Sequence, residues 1–119
     1  MAHKVLITIQ ENHIAPRFDL TTEVVMATLG DGGDMENQRT VVLPHASPED
    51  LCHLILSEGV GTVICNGIEE EYYQYLTWKK IAVMDFVMGP WARALEQHQR
   101  GELQPGAILF ESQERTPNV

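Results

Sequence analysis

The sequence changes character at Ser47-Pro48-Glu49-Asp50, and that change restricts the fold more than any other feature. A serine able to cap a helix, a proline at the first helical position and acids in the first turn together mark a helix start. Upstream, the apolar residues come only in short strand-like runs. Val5 to Ile9 suits a strand buried on both faces, and Glu23 to Leu29 and Gln38 to Leu43 read as two more strands. Gly30-Asp31-Gly32-Gly33-Asp34 supplies residues that tolerate positive φ, so the second run can reverse into the third. The polar stretch from Gln10 to Asp19 reads as a loop, and the first third of the chain as an antiparallel meander.

Downstream, strands alternate with helices. Leu51, Leu54 and Ile55 give the first helix an apolar stripe, and Gly59 sits where a left-handed cap is expected. Thr62 to Cys65 follows as a short buried strand. Glu69-Glu70-Glu71 opens a second helix with the stripe Ile68, Tyr72, Tyr75 and Leu76, closed by Lys79 and Lys80. Ile81 to Met88 is a further strand, and Pro90 opens a third helix bearing Trp91, Ala94, Leu95 and His98 before Gly101 stops it. Ala107 to Phe110 reads as a last short strand. The order predicts an α/β fold of ribonuclease-H-like architecture: a five-stranded mixed sheet, a meander then two parallel crossover units, flanked by three helices. The expected organisation is one domain over 1–110 and a solvated tail over 111–119.

Composition limits what such a domain can do. The 119 residues include 17 Asp and Glu against 8 Lys and Arg, a formal charge of −9, which repels the phosphate backbone and an anionic membrane surface alike. Nucleic acid and membrane are therefore not expected partners. No apolar run approaches the roughly 20 residues of a membrane span, and the N-terminal run lacks the form of a signal peptide. Cys52 and Cys65 are the two cysteines, too few to suggest a disulfide scaffold, so a reducing, cytoplasmic setting is expected.

In an α/β sheet, ligands lie beyond the carboxyl ends of the parallel strands. Those loops carry His13, Arg17 and Asp19 after the first strand, His45 after the third, Cys65-Asn66-Gly67 after the fourth, and Gly89 and Trp91 after the fifth. A thiol, two imidazoles and a guanidinium converging from separate loops suit a soft metal or a sulfide-bearing cluster. Cys65 reads either as a small core hydrophobe or as a thiolate ligand, and His45 either as a loop and capping residue or as a ligand. The acids Glu69, Glu70 and Glu71 oppose thiolate formation at Cys65 and argue against nucleophilic catalysis. The glycines of 30–33 lack the lysine and hydroxyl of a P-loop. Tyr72, Tyr73, Tyr75 and Trp78 are read as packing, at helical spacing.

Ala15-Pro16-Arg17-Phe18-Asp19 after the first strand, with Val63-Ile64-Cys65-Asn66-Gly67-Ile68 leading into a helix, resembles the dinitrogenase iron-molybdenum cofactor biosynthesis family. The resemblance runs from about Val5 to about Gly101, with Trp91-Ala92-Arg93-Ala94-Leu95 similar to the closing helix of one subgroup. It implies a non-enzymatic carrier of an iron-molybdenum or other metal–sulfur cofactor. Arg17, His45, Cys65, Asn66 and Gly67 would then form the cofactor-binding set, with Cys65 and His45 as metal ligands. The absence of any tightly bound cofactor is equally compatible. In the cofactor-escort branch a histidine stands where this sequence has Arg17, whose cationic fork offers hydrogen bonds to an anionic cluster instead of coordination. The alternative is a protein-interaction module serving a cofactor-assembly protein or P-loop ATPase. Two-metal phosphoryl chemistry on this architecture needs carboxylates on the first strand, and Val5 to Gln10 has none.

Overall fold

Everything in the molecule is arranged around β1 (His3–Gln10), whose Val5, Leu6 and Ile7 are fully buried. Alternation along the strand sends Val5, Ile7 and Ile9 to one face of the sheet and Leu6 to the other, and each face has its own apolar cluster. The computed structural model describes residues 2–110; the tail expected for 111–119 lies outside them.

β3 (Glu23–Leu29) pairs antiparallel with β1, and β4 (Met35–Val42) antiparallel with β3. On the other side β5 (Thr62–Ile64) pairs parallel with β1 and β6 (Ala82–Met84) parallel with β5, giving the order β4-β3-β1-β5-β6. A sixth strand, β2 (His13–Ile14), pairs antiparallel with the end of β1. The sheet therefore has six strands, where five were expected. The extra one lies inside the polar stretch from Gln10 to Asp19, and its Glu11-Asn12 turn carries no glycine, although Glu11 takes φ 57°.

α1 (Pro48–Ser57) and α2 (Glu70–Trp78) cover one face through Leu51, Ile55 and Leu76, while α3 (Trp91–Gln99) covers the other through Ala94 and Leu95. The start of α1 forms as its sequence dictates, the Ser47 hydroxyl accepting the Asp50 N–H at 3.2 Å. Two expectations are revised. The strand foreseen over Ile81 to Met88 ends at Met84, because Phe86 turns into the left-handed region at φ 57°. The strand foreseen over Ala107 to Phe110 is reduced to a single parallel bridge, Met88 to Ile108. Among the described residues, no helix is long and apolar enough to cross a membrane.

Candidate functional site at the carboxyl rim

β1, β4, β5 and β6 run in the same direction, so the loops that follow them gather at one rim of the sheet. At its centre the turn Cys65-Asn66-Gly67 holds two loops together through the main chain. Toward β6, the Cys65 N–H donates to the Met84 carbonyl at 3.0 Å, and the Cys65 and Asn66 carbonyls accept from Val87 and Phe86 at 3.1 and 3.0 Å. Toward β1, the Gly67 N–H donates to the Pro16 carbonyl at 3.0 Å and its carbonyl accepts from Phe18 at 2.7 Å. A Cβ at Gly67 would lie 3.1 Å from the Pro16 carbonyl oxygen, tighter than ordinary packing, so the glycine permits this close approach. The strap over residues 16–21 is closed by the Thr21 hydroxyl, which donates to the Arg17 carbonyl at 2.8 Å, and it places Phe18 in the core cluster that also holds Cys65.

The structure thus joins the Arg17 loop to the Cys65 turn, but by backbone and not by converging side chains. Cys65 is fully buried. Burial, with a smaller contribution from the charge of Asp85, pushes its thiol up to about 12, so it is neutral in the folded protein at physiological pH. The guanidinium of Arg17 is occupied by Asp19, with Nε and Nη2 donating to the two carboxylate oxygens at 3.0 and 2.5 Å. That pair raises the Arg17 pKa and lowers that of Asp19 through the hydrogen bond first. His45 stands exposed on the approach to α1, its Nε2 3.4 Å from an Asp50 carboxylate oxygen. Asn66 and Gly67 act through their main chain alone in every contact above.

Cys65 and His45, expected as metal ligands, therefore do not form a donor set as placed. Coordination requires an accessible thiolate, and this thiol is sealed and protonated. Among the described residues, no group of three or more His, Cys, Asp or Glu is arranged to hold a metal ion. A metal–sulfur cluster does not fit these side chains in this conformation. Cys52, buried in α1 with its thiol raised to about 11 by burial first, is a packing residue.

The remaining rim residues brace the hub. Ile14 N–H donates to the Gly89 carbonyl at 2.9 Å, and Trp91 binds the β1–β2 turn through its backbone N–H to Asn12 O at 3.1 Å and its indole N–H to Glu11 O at 3.2 Å. His13 lies in β2 and bridges to Pro90 through the main chain. What sequence reasoning missed is Phe86, a left-handed aromatic that is 57% exposed, and the apolar residues near it, Met88, Ile108 and Phe110, which are also exposed. Nothing in Asp85-Phe86 signals a left-handed turn, since glycine or asparagine is the usual mark.

No protein-family model matches the chain, and no curated protein matches it. Solved structures do. PH0822 superposes with a TM-score of 0.77 at 22% identity, covering 86% of this chain and 93% of that one. MJ0327 of Methanocaldococcus jannaschii, which carries the provisional name dinitrogenase, gives a TM-score of 0.71 at 22% identity over 87% of this chain and 94% of its own. TM1290 of Thermotoga, provisionally named a NifB protein, gives 0.66 at 16% identity over 92% and 98%. At such identities the likeness establishes shared architecture, and the chain has the α/β fold of these proteins.

Proposed function

We propose that this chain is a non-enzymatic accessory protein of metal–sulfur cofactor assembly, of the kind that serves dinitrogenase, and that it works by docking to a cofactor-assembly protein or P-loop ATPase. The names carried by the proteins that share its fold support the first half of this reading. The strand order β4-β3-β1-β5-β6 also supports reading the sheet as ribonuclease-H-like, and the lack of a carboxylate on β1 supports a role without phosphoryl chemistry.

The observation that carries the docking reading is Phe86. Holding an L-residue in the left-handed region costs about 1–2 kcal/mol, and here that cost places an aromatic ring in solvent instead of in the core. The turn itself serves the hub, with the Phe86 N–H on the Asn66 carbonyl at 3.0 Å and Val87 buried behind it, but the ring gains no packing from it and is left free for a contact surface. Met88, two residues on and bridged to Ile108, is exposed too, as are Ile108 and Phe110. With a chain charge of −9, a basic partner is favoured around that apolar centre. The other reading, cluster carriage by Cys65 and His45, requires the Cys65 thiol to be uncovered first.

The test is binding of immobilised protein to purified cofactor-assembly proteins and P-loop ATPases of the same cell, at rising salt. One basic partner should be retained at low salt and released at high salt. Phe86→Gly should weaken that binding by about tenfold or more while leaving the unfolding midpoint unchanged or higher. The opposite result is no partner bound, with anaerobic tetrathiomolybdate and iron producing charge-transfer absorption that Cys65→Ser abolishes; it would replace docking by carriage.

A further inference from the structure

β4 is an edge strand of eight residues, and every residue from Met35 to Thr40 is exposed. Strands usually run about five or six residues, and exposed edges are commonly blunted by proline, lysine or brevity. Within Met35–Val42 there is no proline or lysine and the strand is long; the irregularity beside Glu36 blunts only its first residues. Its free side can be read from the ladder. The Leu43 N–H donates to the Thr22 carbonyl at 2.8 Å, and the pairing continues from Glu23↔Val42 through Thr28↔Asn37. Main-chain groups of Asn37, Arg39, Val41 and Leu43 are therefore spent on β3, while those of Gln38, Thr40 and Val42 point outward.

The strip able to accept another strand has defined ends. A register shift between Thr28 and Leu29 leaves Glu36 unmatched between Asn37 and Met35, and Pro44 beyond Leu43 has no N–H to donate. What remains, Asn37 to Leu43, is centred on Thr40. We infer that two copies of this chain pair antiparallel through β4 about a two-fold axis at Thr40, joining their sheets.

Side-chain chemistry favours this register over those centred at Arg39 and Gln38, and a dyad at Val41 would set Gln38 against Pro44, which has no N–H to donate. A dyad at Arg39 would set two guanidinium groups directly opposite, and a dyad at Gln38 would bring the irregular Glu36 against Thr40 of the second copy. With the dyad at Thr40, the two threonines face each other, a favourable cross-strand pair, and Gln38 faces Val42. Arg39 faces Val41, and its charge is already held by Glu58 at 3.0 Å within its own copy. The pairing forms about six main-chain hydrogen bonds with little apolar burial, so the dimer is weak and concentration-dependent. The strip is self-complementary about Thr40, and its one charged residue, Arg39, is already paired with Glu58, so a second copy fits along it despite the chain charge of −9.

Sedimentation equilibrium of the full chain should show the mass rising from monomer toward dimer with concentration. Under mild oxidation, Thr40→Cys should give a covalent dimer, whereas Gln38→Cys, four register steps from its own copy, should not. Thr40→Pro removes an N–H that faces outward, so the monomer stays folded by circular dichroism, but its association should weaken by about tenfold or more. A chain monomeric at every soluble concentration, with no Thr40→Cys cross-link, overturns the proposal. Dimers that Thr40→Pro leaves unchanged overturn it too. Loss of partner binding by Thr40→Pro in a strictly monomeric chain would overturn it in favour of a strand donated by that partner. These readouts use the chain alone and do not depend on the docking role of Phe86.

Discussion

β1 and β4 are both eight-residue strands of one sheet, yet they live in opposite environments. The central residues of β1, Val5 to Ile9, are all buried, because β3 and β5 take its two edges and the helices close over both faces. In β4 the corresponding stretch, Asn37 to Val41, is exposed through Thr40 and only half-buried at Val41. Backbone conformation is shared, and what differs is the number of neighbours. The comparison teaches that composition in this sheet records position: Val-Leu-Ile-Thr-Ile in the centre, Asn-Gln-Arg-Thr-Val at the edge. Stability should be concentrated in the first strand and adaptability in the second.

The sharpest way to break this contrast is to remove a side chain from the centre. Ile7 is fully buried in the cluster under α3 and neighbours Val25 and Ile64 across the ladder. Ile7→Ala should cost about 2–5 kcal/mol, the range for emptying a core site that cannot collapse, measured by urea denaturation. A cost under about 1 kcal/mol would mean that the centre relaxes freely and that the strand is not the keystone its burial implies.

How far these differences were legible in the sequence depends on the physical signal involved. The buried run Val5 to Ile9, the capped start of α1 and the alternation of later strands with helices carry their periodicity in consecutive residues, so strand order and helix placement could be read. The meeting of the Arg17 loop with Cys65-Asn66-Gly67 was also legible, because topology sends both loops to the same rim. Side-chain outcome was not. Whether Cys65 points to solvent or core depends on a cluster that gathers residues as distant in the chain as Phe18 and Val83 around it. Similarly, the sequence offers the Arg17 fork to an anionic cluster, whereas the 3-10 turn over Phe18–Leu20 brings Asp19 to it. β2 and the left-handed Phe86 left no mark, since neither uses glycine or an Asn-Gly pair.

A second effect, absent at neutral pH and growing only in alkali, tests how tightly the interior extends past the end of β5. Cys65 follows that strand, and its thiol is raised from 9.0 to about 12 by burial, with Asp85 adding to the shift. The folded state thus keeps a proton that the unfolded chain releases near its ordinary pKa. Its contribution to stability is complete below about pH 9 and is lost as pH climbs toward 12. Denaturation midpoints should fall across that interval, with a slope approaching ~1.4 kcal/mol per pH unit, and Cys65→Ala should flatten part of it. Cys52, raised to about 11, contributes a fall of the same sign that ends sooner. If Cys65→Ala leaves the alkaline slope untouched, the thiol is reaching solvent and cluster carriage regains its ligand.

The smallest effect belongs to the edge. Val42 ends β4 with 71% of its surface exposed, so truncation removes methyl groups that water already surrounds. Val42→Ala should shift stability by no more than about 0.5 kcal/mol, because neither a cavity nor an unsatisfied polar group is created. The comparison with Ile7→Ala then spans two aliphatic side chains in one sheet, with nearly all of the difference due to location. Denaturation must be followed at low protein concentration, where β4 has no second copy to pair with. A loss above about 1 kcal/mol under those conditions would show that the edge makes packing contacts within the monomer, and the division between a stabilising centre and an open edge would fail.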